Sequence, residues 1–237
     1  MVDVATESFT AYPTRRRTSE ATYQGILQHA GRAKVRYAYI DGAPEPRDAW
    51  IQHRIPFETS APYVRERNGL IESLNSVEIF GGSVRMEQAG APLPFWTYAV
   101  RHFAFARNIF PAADRGVPYE RRFQEGPFPG LIVPLMARIR CKQQPNAEKS
   151  PEARKLGSPK VWGVFLGWSL KAGGKWNRRY ECAAFTEFIE MDLWRGSLRS
   201  GVRVRAQEVY EMDVDPSDQN MSPRKAACGK ASGTRGN

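Results

Sequence analysis

Two adjacent glycines, Gly81 and Gly82, interrupt what otherwise reads as one long helix from Asn68 to about Ala89. A glycine inside a helix costs about 1 kcal/mol relative to alanine. A chain keeps such a pair where another element packs tightly against the bare backbone or where the helix bends, and one of these is expected here. Leu70, Leu74, Val77 and Val84 recur at helical spacing and form the expected inward face, while Glu72, Asn75, Ser76 and Ser83 line another, so Glu72 points away from the core. Asn68 is placed to cap this helix, with Gly69 entering it. Pro92 and Pro94 then break the chain, and Phe95 to about Asn108 reads as a second helix. Its Trp96, Tyr98, Phe103 and Phe105 serve as packing rather than as a base-stacking platform.

The residues before these helices alternate between short strands and helices. Val2 to Thr6 and Phe9 to Tyr12 read as a hairpin joined across Glu7-Ser8. Thr18 is a plausible N-cap for a helix running to about His29, and Gly31 ends it. Lys34 to Ile40 alternates apolar and polar positions, which predicts a strand that delivers Asp41 at its carboxyl end. In open α/β sheets that end is where ligands gather. Pro46 begins a short helix through about His53, and Ile55 to Phe57 is a small strand. His53 reads as a surface or packing residue, not as an acid or base.

Beyond the helices, residues 109–127 are rich in proline and charge and read as a linker. Leu131 to Cys141, Val161 to Ser169, Tyr180 to Phe188 and Val202 to Tyr210 predict a small β-barrel or curled sheet, with Ala172-Gly173-Gly174-Lys175 turning its middle hairpin. Lys142 to Lys160 reads as a mobile insertion, and the chain from about Asp213 onward as a disordered basic tail. The expected domains are therefore 1–108, a linker over 109–127, a β-rich unit over 128–212 and the tail 213–237.

Lys and Arg exceed Asp and Glu by ten, 35 against 25, which favours salt-sensitive attraction to a polyanion. Cys141, Cys182 and Cys228 have no metal-ligand spacing and read as buried or idle thiols of a reducing compartment. The longest apolar run, around Leu131 to Met136, is broken by proline and far too short to span a membrane. No signal-peptide pattern opens the chain, so the expected location is nucleus or cytoplasm, not secretion. Phosphate-binding glycine loops, dinucleotide fingerprints and Gly-x-Ser-x-Gly elbows are all lacking.

Two motifs carry chemistry: Tyr39-Ile40-Asp41-Gly42-Ala43-Pro44-Glu45 and Arg67-Asn68-Gly69-Leu70-Ile71-Glu72-Ser73-Leu74-Asn75. Together with Gln88-Ala89-Gly90, Leu93-Pro94-Phe95-Trp96, Pro118-Tyr119-Glu120-Arg121 and Gly163-Val164-Phe165-Leu166-Gly167-Trp168, they resemble the integrase region of copia-type long-terminal-repeat retrotransposon polyproteins, a branch of the retroviral integrase superfamily. The resemblance covers roughly residues 2 to 190. It implies an α/β fold: a partial ribonuclease-H-like core lacking its first strand, then a helical linker and a small barrel-like module. It also implies metal-dependent DNA cleavage and strand transfer, with Asp41 and Glu72 as the second and third of three carboxylates that hold Mg2+ or Mn2+. Asp3 matches a strand position without a metal role, so the first catalytic carboxylate is unmatched and Met1 lies inside the ancestral domain. Without the missing strand, two sheet edges either re-pair or stay open. The fragment is expected to be inactive alone; the alternative is a non-catalytic basic remnant that binds nucleic acid or a partner.

For DNA contact the candidates are Arg65, Arg67, Asn68 and Asn75 around the second motif. Lys175, Trp176, Arg178 and Arg179 form a second patch that is either a grip on backbone and base or a solvated hairpin tip. In the tail, Arg224, Lys225, Lys230 and Arg235 occur without an acid. DNA is the expected partner, together with a second copy of the chain or the rest of the polyprotein, and no membrane.

Overall fold

A computed structural model describes residues 1–40, 42–59, 65–111, 115–142, 160–188 and 204–214, and its architecture is mixed α/β. The N-terminal hairpin is short, pairing β1 (Val2–Asp3) with β2 (Ser8–Phe9) antiparallel. Helix α1 spans Ser19–Ala30. The Thr18 hydroxyl accepts from the Ala21 amide at 3.2 Å, and Gly31 closes the helix at a φ of 58°. Both ends fall where the side chains predict them, because capping is decided by one or two residues.

Strand β3 is confined to Ala38–Ile40 and pairs in parallel with β4 (Phe57–Thr59), across helix α2 (Pro44–His53). The expected strand from Lys34 is thus shortened to its last three residues. Among the described residues the β1–β2 and β3–β4 ladders remain separate two-stranded sheets.

Helix α3 runs Arg65–Ala89, so Asn68 lies inside it and does not cap it. Arg65, Glu66 and Arg67 are good helix formers and extend the helix upstream of the asparagine. Its inward face also differs from the apolar pattern. Gly81 and Gly82 are buried, whereas Val77, Ile79 and Phe80 are exposed. The reason is close approach to helix α4 (Trp96–Ile109), which follows a 3-10 turn over Leu93–Phe95. A β-carbon at Gly81 would lie 2.3 Å from the Phe103 ring, and one at Gly82 would lie 2.8 Å from Val100. The glycine pair therefore marks a helix crossing, and the bare backbone fixes which face turns inward.

The C-terminal half is a five-stranded antiparallel sheet in the order β8-β7-β6-β5-β9, comprising β5 (Arg138–Lys142), β6 (Lys160–Leu170), β7 (Trp176–Ala184), β8 (Gln207–Val209) and β9 (Met212–Val214). Ala172 to Lys175 turns the β6–β7 hairpin as expected. Several expectations need correction. The sheet does not close into a barrel among the described residues, since β8 and β9 pair only inward. Strand β7 gives way to a 3-10 turn over Phe185–Phe188. Asp213 and Val214, assigned to a disordered tail, pair with β5 because Met212 buries its side chain beside Ile139 and Cys141. Within the segment read as a linker, Pro118–Phe123 forms helix α5, and its Tyr119 is buried against Phe105 and Phe128. The expected insertion over 143–159 and the tail from 215 lie outside the described residues.

Two apolar clusters sandwich β6. Ile139, Cys141, Phe165, Trp168 and Cys182 gather on one side with Phe105, Ile109 and Tyr119, while Val164, Leu166 and Ala183 gather on the other with Phe95, Ala99 and Leu135. Alternation along β6 puts Val164 and Phe165 on opposite faces. Helix α4 supplies residues to both clusters, tying the helical half to the sheet. Cys141 and Cys182 are fully buried free thiols, as expected, and Cys228 lies outside the described residues. The neighbouring Cys141 thiol and burial push the Cys182 thiol upward, so it stays neutral.

Candidate nucleic-acid interface

Strand β5 reads Arg138, Ile139, Arg140, Cys141, Lys142, with Ile139 and Cys141 fully buried. The three cations before, between and after them therefore share the other face of the strand. On β6, Trp162 stands opposite Arg140, and Lys160 stands opposite Lys142. Directly opposed residues of an antiparallel pair project to the same side, so one sheet face carries Arg138, Arg140, Lys142, Lys160 and Trp162. The Arg138 guanidinium lies 4.0 Å from the Trp162 ring centre and that of Arg140 5.4 Å, so both arginines make cation-π contact with the one indole. Asp213, opposite Arg140, offsets part of the charge and bonds Lys160 at 2.7 Å. Where Val164 is covered by the second apolar cluster, Trp162 two residues away keeps 39% of its surface exposed.

This face was missed at the level of sequence, although a signal was present. Cations at every second position of a strand declare one charged face. The Gly173-Gly174 hairpin carries the more conspicuous charges, and most of them have partners within the folded chain. Lys175 pairs with Glu125 and lies 5.9 Å from the Phe123 ring. Trp176 packs against Phe128 and Tyr180, its indole N–H donating to the Arg179 carbonyl at 2.8 Å. Arg179 bonds Glu208 at 3.0 Å, donates to the Tyr210 hydroxyl and stacks on that ring at 4.6 Å. Ser169 and Arg179 together hold the Glu208 carboxyl below the usual carboxylate range. Of the four, Arg178 alone is exposed with no ion pair among the described residues. The geometry makes this hairpin an internally braced corner.

The acidic pair is described in part. Strand β3 ends at Ile40, immediately before Asp41, which lies outside the described residues. Glu72 and Asn75 sit on the exposed face of α3, one turn apart. Arg65, Arg67 and Asn68 belong to the first turns of the same helix. No group of three or more His, Cys, Asp or Glu side chains that could hold a metal ion occurs among the described residues. Asp3 has a structural role: it accepts from Thr6 at 2.6 Å and from the Ala5 amide at 3.1 Å, and lies 3.6 Å from Arg122.

No protein family matches the chain. No curated protein matches it either. Among solved structures it is similar to a chain in the simian T-cell lymphotropic virus intasome in complex with PP2A regulatory subunit B56 gamma. The identity is 16% over 88% of this chain and 67% of that one, with a TM-score of 0.43. No helix among the described residues is long and apolar enough to cross a membrane.

Proposed function

We propose that this chain is a nucleic-acid-binding fragment of copia-type integrase descent, with a partial ribonuclease-H-like core, and that by itself it does not join DNA ends. The observation that carries the binding half is the cation-π contact of Arg138 and Arg140 with Trp162, on a sheet face shared with Lys142 and Lys160. A guanidinium is suited to phosphate oxygens, and the half-exposed indole offers a surface to an unpaired base. The net charge of +10 acts in the same direction over longer range.

The catalytic half of the reading rests on the two motifs. Asp41 directly follows a strand, and α3 leaves Glu72 exposed. In this reading the two carboxylates are the chain's share of a Mg2+ or Mn2+ site, and a third ligand is unmatched in the sequence. Two like charges without their third partner hold a divalent ion weakly.

Fluorescence anisotropy with a labelled DNA duplex tests the binding half. The expected outcome is saturable binding that weakens steadily as salt rises from 50 to about 200 mM. Absent or salt-independent association contradicts it. Incubating the chain with DNA ends and Mg2+ or Mn2+ tests the catalytic half, and efficient end joining would overturn the claim of inactivity.

A further inference from the structure

We propose that the cavity between α1, α4 and the β6–β7 turn takes a nucleotide, an aromatic base carrying a 5′-phosphate. The cavity measures about 440 Å³, within the range of small-molecule sites and large enough for one nucleotide. Tyr12, Thr14, Gln24, Gln28, Arg101 and Lys171 are among its lining residues, and no Asp or Glu lines it, in a chain with 25 acids.

The walls are pre-set. The Gly173 amide donates to the Gln28 carbonyl at 2.7 Å, which clamps the end of α1 to the hairpin turn. That contact is tight, since a β-carbon on Gly31 would lie 2.6 Å from the Gly173 nitrogen. Arg101 is fixed by a two-pronged bond to Glu181, at 2.7 and 3.2 Å. Gln24 is steadied by Glu20 at 2.7 Å, and the Thr14 hydroxyl donates to the Arg16 carbonyl at 3.1 Å. A cavity whose walls are already ordered spends little on ordering side chains when a ligand enters.

The lining chemistry selects the ligand. Gln24 and Gln28 stand one helical turn apart on α1, and each amide both donates and accepts, as base edges require. The Tyr12 ring can stack on a base face. Lys171 lines the cavity and is exposed, so it supplies a charge suited to a phosphate.

The free nucleotide and the nucleotide at the end of a strand share this chemistry, and two ligands separate them. Titration calorimetry of the full chain would use a deoxynucleoside 5′-monophosphate and a 5′-phosphorylated single-stranded trinucleotide, against Lys171→Glu, Gln28→Leu and, on the sheet face, Arg140→Glu. Saturable binding of either ligand is expected, weakened about tenfold or more by Lys171→Glu and by Gln28→Leu, and by less in Arg140→Glu. The tighter of the two ligands identifies the source. Thermal unfolding by circular dichroism checks that the variants, all at partly or fully exposed side chains, remain folded. No saturable binding of either ligand, or binding that Lys171→Glu and Gln28→Leu leave unchanged, overturns the proposal. The sheet-face reading stands or falls separately, because Arg140→Glu reports on it with duplex DNA.

Discussion

The guanidinium of Arg138 lies 4.0 Å from the ring centre of Trp162, one strand over and on the same face of the sheet. The pairing needs three things at once: an odd-even alternation that sends Ile139 inward, a register that puts Trp162 opposite Arg140, and a sheet end that the helices leave uncovered. Trp162→Ala is expected to lower affinity for single-stranded more than for duplex DNA, because the indole contributes stacking, worth about 1–3 kcal/mol per base, and unpaired bases alone can use it. Parallel anisotropy titrations with the two forms check this, and equal losses would assign the tryptophan to holding the arginines only.

The contact between Gly81 and Phe103 gives a stability prediction with a clear sign. Helix propensity alone favours Gly81→Ala by about 1 kcal/mol. The new methyl would meet the Phe103 ring at 2.3 Å, however, and overpacking typically costs about 1–3 kcal/mol. Net destabilisation is expected in urea unfolding, with partial recovery in Gly81→Ala/Phe103→Leu. A more stable single mutant would contradict the helix crossing described here.

Acid should destabilise the protein through its buried histidines. Burial lowers His102 from 6.5 to about 4, and its Nε2 donates to the Val133 carbonyl at 2.9 Å while Nδ1 is buried without a partner. Burial, with Arg122 adding to it, does the same to His29. The unfolded chain binds these protons first, so the stability they confer is complete above pH 6.5 and is lost as pH falls toward about 4. The linkage amounts to at most between about 3 and 4 kcal/mol per histidine. Urea unfolding at a series of pH values should show a shallower slope for His102→Gln than for the unsubstituted chain, and parallel slopes would contradict the assignment.

Metal binding tests the acidic motifs. Titration with Mn2+ should give weak heats that vanish in Asp41→Ala and in Glu72→Ala. Unchanged isotherms in both variants would remove these residues from any metal site.

Local features were the legible part of this fold. Thr18 and Gly31 bound α1, and Pro92 and Pro94 separate α3 from α4, because each acts through its own backbone. Gly81 and Gly82 announced a close contact but not its partner, since Phe103 and Val100 reach them through tertiary packing. Strand Met212–Val214 escaped notice because three residues carry too little periodicity and its pairing partner, β5, lies far back in the chain. The same limit applies to the candidate interface. Exposure and charge at Lys175 and Arg179 were readable, but their engagement by Glu125, Glu208 and Tyr210 depends on segments brought together only in the folded chain.

The most direct measurement of the central claim compares the salt dependence of DNA affinity in Arg138→Ala and Arg140→Ala with that in Arg178→Ala and Arg179→Ala. A nucleic-acid-binding sheet face predicts that each of the first pair weakens binding and reduces the slope of log affinity against log salt by about one, with the hairpin variants close to the unsubstituted chain. Full affinity and an unaltered slope in Arg138→Ala and Arg140→Ala would contradict it.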